Sequence, residues 1–193
     1  GPYIRSDIRL SAESHPTQLV LEDMTDAPTQ AVLGEIEEVA TRIANEAGVV
    51  LMDRFRTALE IEYKDSGKTD PVTEVDRTVE KLVHDAVLSH FPEHAILGEE
   101  GADTNPEGSD FVWVVDPLDG TSNFINGLAV FACSIGVLWR GIPVVGAVFM
   151  PTNRHMQPGV YHARLGGGVY FEEEQLHFHT AEAPPSARLS GIP

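Results

Sequence analysis

The chain has 193 residues, 42% of them hydrophobic and 22% charged, which suits one compact domain with a sizeable core and excludes wholesale disorder. Thirty acidic residues against 13 basic ones give a formal charge of −17, which repels nucleic acid and anionic membrane surfaces and argues against a polyanion binder. Its single cysteine, Cys133, cannot close an internal disulfide, which is compatible with a cytoplasmic location, and the apolar run at residues 129–139 falls short of the roughly 20 residues of a membrane helix.

Residues 1–28 are polar and without period and read as a loosely ordered arm. The arm shows no basic region followed by an apolar core, so no signal peptide is read, and its Gly1-Pro2 start suggests a processed or partial chain. From there Val32, Ile36, Val39, Ala40, Ile43, Ala47, Val50, Leu51 and Phe55 recur at three- and four-residue steps, which predicts an amphipathic helix starting near Thr29. Residues 63–71 form a turn-rich connector. Thr73-Glu-Val-Asp76 then starts a second helix with a pair resembling a capping box, and Val75, Val79, Leu82, Val83, Ala86 and Val87 share its apolar face up to Phe91-Pro92. Beyond it the period shortens, predicting strands at 95–97, 111–115, 130–139, 142–149, 160–163 and 169–171. The fold class is therefore α+β, two N-terminal helices on a mostly antiparallel sheet, with the domain at 29–182 and a linker-like tail at 183–193. His177 and His179 alternate on one strand face and read as a solvated pair.

One stretch does not read as plain structure. The apolar strand ending at Val115 runs straight into Asp116-Pro-Leu-Asp119-Gly-Thr121. Proline biases Asp116 to extended geometry, and the chain must turn through Leu118 and Asp119 to Gly120, so the two carboxylates can converge. No lysine or arginine lies between Ala95 and Phe124 to relieve their repulsion, and hard oxygen ligands of this kind suit Mg²⁺. Gly120-Thr121-Ser122 adds a tight backbone approach and a helix start, which favour a phosphate. Of Glu99 and Glu100, one is expected to face the site, because neighbours on an extended chain point oppositely. Asp76 is a fourth acidic candidate. The haloacid dehalogenase-like alternative needs two aspartates at a two-residue step on one strand face, whereas here the step is three.

These residues resemble the inositol monophosphatase family of Mg²⁺-dependent, lithium-sensitive phosphatases. The W-x-x-D-P-x-D-G-T-x-N-F signature is met from Trp113 to Phe124, D-x-V-T-x-x-D from Asp70 to Asp76, and G-E-E at Gly98-Glu99-Glu100, over about residues 32–180. The resemblance implies the first half of that family's αβαβα sandwich and hydrolysis of a small phosphorylated substrate such as inositol monophosphate. It further implies that Glu99, Asp116 and the Leu118 carbonyl hold one Mg²⁺ and that Asp116 and Asp119 share another. Gly120 and Thr121 offer N–H groups to the phosphate, Thr121 and Asp76 orient the attacking water, and Glu99 also reaches a further, weakly held ion. Lys64 and Lys68 compete for the place of a lysine near the site.

The family's W-D-x-A-A-G element, whose aspartate completes the second metal site, is not found: Trp113 precedes Val114 and Trp139 precedes Arg140. The expectation is therefore a chain that is impaired by itself. The alternative is a non-catalytic truncated homologue acting as a binding or assembly module, with a homodimer as one form and with no nucleic acid or membrane partner.

Overall fold

The computed structural model describes residues 26–63, 66, 71–101, 103–106, 108–152 and 156–177. The first 25 residues of the arm, the tail at 183–193, Lys64, Lys68, Asp70 and His179 lie outside the described residues.

Helix α1, Gln30–Arg54, starts at Thr29, whose hydroxyl accepts the Val32 N–H at 3.3 Å. Its buried stripe runs through Leu33, Ile36, Ala40, Ile43, Ala47 and Leu51. Val32, placed on that stripe by its spacing, is instead 39% exposed, and Leu33 takes its position. Two short strands follow, β1 at Ile61–Tyr63 and β2 at Pro71–Thr73, paired antiparallel across the connector. Helix α2, Glu74–His90, begins with a complete capping box between Thr73 and Asp76.

Among the described residues seven strands make the main sheet in chain order: β3 (Ala95–Gly98), β4 (Phe111–Asp119), β5 (Ala132–Trp139), β6 (Ile142–Met150), β7 (Gly159–Arg164), β8 (Gly168–Phe171) and β9 (Glu174–Gln175). The pair β3–β4 is parallel and every other neighbour is antiparallel, so the layering expected from the sequence is the one found. Both helices pack on one face of this sheet, where Trp113, Val115, Ile135, Val137, Ala147 and Phe149 meet α1 and α2 in a single core. Cys133 is fully buried there and its thiol is pushed up to about 12, chiefly by burial, so it is inert filling.

The strand after Val115 does not stop as the sequence suggested. It continues through Pro117 to Asp119, with a register shift between Asp116 and Asp119 opposite β5. Proline has no N–H for the ladder, and an irregularity is where a strand tolerates one. A short helix α3, Thr121–Ile125, then follows from Gly120 and is pinned by Phe124. The Phe124 ring meets Phe55 at the end of α1 (centroids 5.5 Å) and Phe131 edge-on (4.9 Å), so an aromatic cluster fixes the irregular strand end against the helices.

Candidate active site

The C-terminal ends of the parallel pair β3–β4 open on a cleft of about 240 Å³ lined by Glu99, Asp116, Leu118, Asp119, Gly120 and Thr121, together with Pro71 and Ser122. The site residues read from the sequence thus meet in one place, apart from Asp76, which lies beneath it. Among the described residues none that lines it is basic.

Each side chain is held for a local reason. Glu99 follows the last ladder pair, Gly98 with Val115, and its N–H donates to the Val115 carbonyl at 3.2 Å. It lines the cleft, whereas Glu100 does not, as alternation requires. Asp116 turns back on its own backbone, Oδ1 accepting the Leu118 N–H at 3.2 Å. Gly120 sits at φ 85°, a left-handed conformation, and a Cβ there would stand 2.9 Å from the Val130 carbonyl oxygen, so both conformation and space call for glycine.

Asp76 is 2% exposed. Its Oδ2 accepts the Thr73 N–H at 2.8 Å and the Thr73 hydroxyl at 2.5 Å, while the Val75 N–H donates to that same hydroxyl oxygen at 3.1 Å. These bonds fix the direction of every proton on Oδ2 and leave Oδ1 for the hydroxyl of Thr121 at 3.1 Å. The Thr121 hydroxyl also lies 2.9 Å from the Leu118 carbonyl. The capping role of Asp76 and its link to the cleft are therefore the same geometry.

The electrostatics are those of an overcrowded acidic site. The Asp116 carboxyl is pushed up to about 7, first by burial, then by a hydrogen bond with Glu99 and the charges of Glu99 and Asp119, against a smaller opposing effect of the Leu118 N–H. Glu99 and Asp116 form the tight pair, and Asp119 acts on Asp116 through charge. Among the described residues no three His, Cys, Asp or Glu side chains gather closely enough to cage an ion by themselves. The donor set nevertheless fits a hard cation: two adjacent carboxylates, a third at the rim and the Leu118 carbonyl are all oxygen. Mg²⁺ is commonly held by only one or two carboxylates with substrate phosphate completing the shell.

The inositol monophosphatase family model matches residues 33–191. This chain belongs to the inositol monophosphatase family. Among its relatives, it is 35% identical over 167 residues to the chloroplastic phosphatase IMPL1 of Arabidopsis thaliana, covering 86% of this chain and 44% of that protein. It is 37% identical over 143 residues to the inositol-1-monophosphatase of Bacillus subtilis, covering 74% of this chain and 52% of the relative. The inositol monophosphate-bound structure of SaIMPase-II superposes with a TM-score of 0.56 at 30% identity, over 74% of this chain and 48% of that one. The chain spans about half the length of the curated relatives it matches. No helix among the described residues is long and apolar enough to cross a membrane.

Three buried or half-buried polar residues escaped the sequence reading. Glu37 and Glu80, 4% and 5% exposed, sit on the apolar stripes of α1 and α2. Glu37 is held across the core by Arg164 and by His162, whose Nδ1 lies 2.7 Å from Oε1. His94 stacks between Phe91 and Phe111 and accepts the Trp113 indole N–H at 3.0 Å, and burial lowers its pKa. For the two glutamates the available signal was position: Asp76, Glu80, Val83 and Val87 repeat at helical spacing, as do Leu33, Glu37, Ala40 and Ala44.

Proposed function

We propose that this site performs Mg²⁺-dependent hydrolysis of small phosphomonoesters of the inositol monophosphate type, by direct attack of water and without a covalent intermediate. The observation that carries the reading is the single cleft in which an acidic pair, Glu99 and Asp116, faces the Thr121 hydroxyl, itself backed by the buried Asp76 carboxylate. Family membership supports it, as do a relative named for inositol-1-monophosphatase activity and a solved relative that holds inositol monophosphate.

In this reading Glu99, Asp116 and the Leu118 carbonyl hold one ion, Asp116 and Asp119 share a second, and Glu99 reaches a further, weakly held one. Bound there, Mg²⁺ supplies Lewis acidity to the phosphoryl oxygens and lowers the pKa of the attacking water. The remaining work belongs to the chain. Gly120 and Thr121 bring backbone N–H groups to the phosphate where a side chain at residue 120 would keep it away. The Thr121 hydroxyl has two acceptors in reach, Asp76 Oδ1 at 3.1 Å and the Leu118 carbonyl at 2.9 Å, and with its proton turned to Asp76 its oxygen accepts a hydrogen bond from the attacking water. Asp76 is held in place for this contact, because the Thr73 N–H and hydroxyl both donate to its other oxygen.

Phosphate release from inositol 1-phosphate, followed against Mg²⁺ concentration, tests the proposal. Turnover that requires Mg²⁺ is expected, and Thr121→Ala should lower it by about 10²–10⁴-fold, the usual worth of a proton-handling group, while leaving Mg²⁺ affinity within about threefold. Turnover unaffected by chelator or by Thr121→Ala would defeat it. The pH dependence follows from Asp116. Its carboxyl keeps its proton up to about 7, so below that pH the ion must displace a proton, and Mg²⁺ uptake is expected to weaken about tenfold per pH unit as pH falls. Calorimetric titration at several pH values checks this.

A second reading, an assembly module, has one observation in its favour. Leu97 and Val114, neighbours on the sheet face turned away from the helices, are 50% and 37% exposed. Light scattering separates the two readings: a stable dimer without Mg²⁺-dependent turnover favours assembly, and a monomer sets it aside.

A further inference from the structure

Helix α2 carries two buried carboxylates one turn apart, Asp76 and Glu80, on the side that underlies the cleft. Asp76 is absorbed by the Thr121 contact. Glu80 is not used by anything described so far, yet it is 5% exposed on a stripe otherwise made of valines. A buried carboxylate is costly unless it accepts hydrogen bonds. Glu80 does so: its Oε1 accepts the backbone N–H of Glu100 at 2.7 Å.

The place of that bond gives it meaning. Strand β3 ends at Gly98, and the bond from the Glu99 N–H to Val115 is the last rung tying this segment to β4. Two residues on, Gly101 takes a left-handed φ of 96°, and the chain turns away. Glu99, itself exposed, thus stands at a sheet end between one ladder bond before it and the Glu80 bond after it. Replacing Glu80 by alanine takes away the acceptor that holds the peptide following Glu99 to α2.

We propose that Glu80 is a positioning residue for the metal-binding carboxylate Glu99: planted on α2, it grips the Glu100 amide and so sets the direction of the Glu99 side chain. This rests on the metal reading of the cleft given above. The same helix then fixes both sides of the site, Asp76 through Thr121 and Glu80 through Glu100, so α2 holds the proton-handling pair and the acidic pair in register.

The test uses the whole chain and three readouts. Amide hydrogen exchange in the metal-free protein should show Glu100 protected in the wild type and in Glu80→Gln, whose amide oxygen still accepts, and unprotected in Glu80→Ala. Calorimetric titration with Mg²⁺ should give a loss of about 10–100-fold in affinity for Glu80→Ala, the usual cost of removing a partner that orients a metal ligand, and a change within about threefold for Glu80→Gln. Thermal melting establishes that each variant is folded at the assay temperature. Equal Mg²⁺ affinity in folded Glu80→Ala and wild type overturns the proposal while leaving the metal reading standing. So does a loss in Glu80→Gln as large as in Glu80→Ala, which would make the effect one of charge. A wild type that takes up no Mg²⁺ overturns the metal reading and this inference with it.

Discussion

Asp116→Asn is expected to abolish Mg²⁺-dependent turnover and to lower Mg²⁺ affinity by at least about 100-fold, while making the metal-free chain harder to unfold near neutral pH. Both effects come from the same carboxylate. As a ligand it is shared by both proposed ions, and loss of a direct ligand costs at least as much as the roughly 10–100-fold of an outer partner. As a folded-state group it is crowded: burial, Glu99 and Asp119 raise its carboxyl to about 7. The native state therefore binds its proton more tightly than the unfolded chain does. The stability this group contributes is complete below the ordinary aspartate range and is lost as pH rises through about 7. Asparagine carries no charge to repel Glu99, so the variant should escape that loss. Denaturant midpoints of the two metal-free proteins, compared at about pH 5 and about pH 8, check this, and the gap should widen at the higher pH. A site that is destabilising when empty and stabilising when loaded is the expected signature of a functional acidic cluster.

The second large effect is on the fold. Trp113→Ala should cost about 3–5 kcal/mol, since the ring is fully buried in the core beside Phe91 at the end of α2 and leaves a cavity the rigid neighbours cannot fill. Trp113→Phe keeps most of the packing and removes the indole N–H that His94 accepts, so a smaller loss of about 1–3 kcal/mol is expected from the unpaired ring nitrogen. Equilibrium unfolding followed by circular dichroism measures both. Trp113 also precedes Asp116 on β4, so its packing sets the strand that carries the site into the cleft, and the alanine variant should lose Mg²⁺ affinity along with stability.

How far the sequence could be read depended on whether local chemistry or tertiary geometry decided the outcome. The helices were legible because apolar residues at helical spacing have only one place to go, and Thr73 with Asp76 marked a helix start that the structure keeps to the residue. The convergence of Asp116 and Asp119 and the turn at Gly120-Thr121 were legible because an apolar strand running into acidic residues around a proline and a glycine has few structural uses, whereas the choice of Glu99 over Glu100 and of Leu118 followed only from the family resemblance. What stayed hidden needed partners distant in sequence. The strand irregularity that carries Asp116 toward Glu99 depends on pairing with β5, which no local pattern reveals. Glu37 and Glu80 look like solvent-facing charges until Arg164, His162 and the Glu100 amide are brought to them. The strands β1 and β2 are three residues each, too short for a period to show.

The measurement closest to the central claim is a calorimetric titration of three proteins with Mg²⁺ at about pH 8, where Asp116 is mostly ionised. Besides the wild type and Asp116→Asn, it includes Asp110→Asn, an aspartate of the same region whose carboxylate pairs with Arg140 on the surface. If Glu99 and Asp116 gather divalent cations, the wild type and Asp110→Asn take up Mg²⁺ alike and Asp116→Asn does not. Equal uptake by all three, or none by the wild type, would contradict the account.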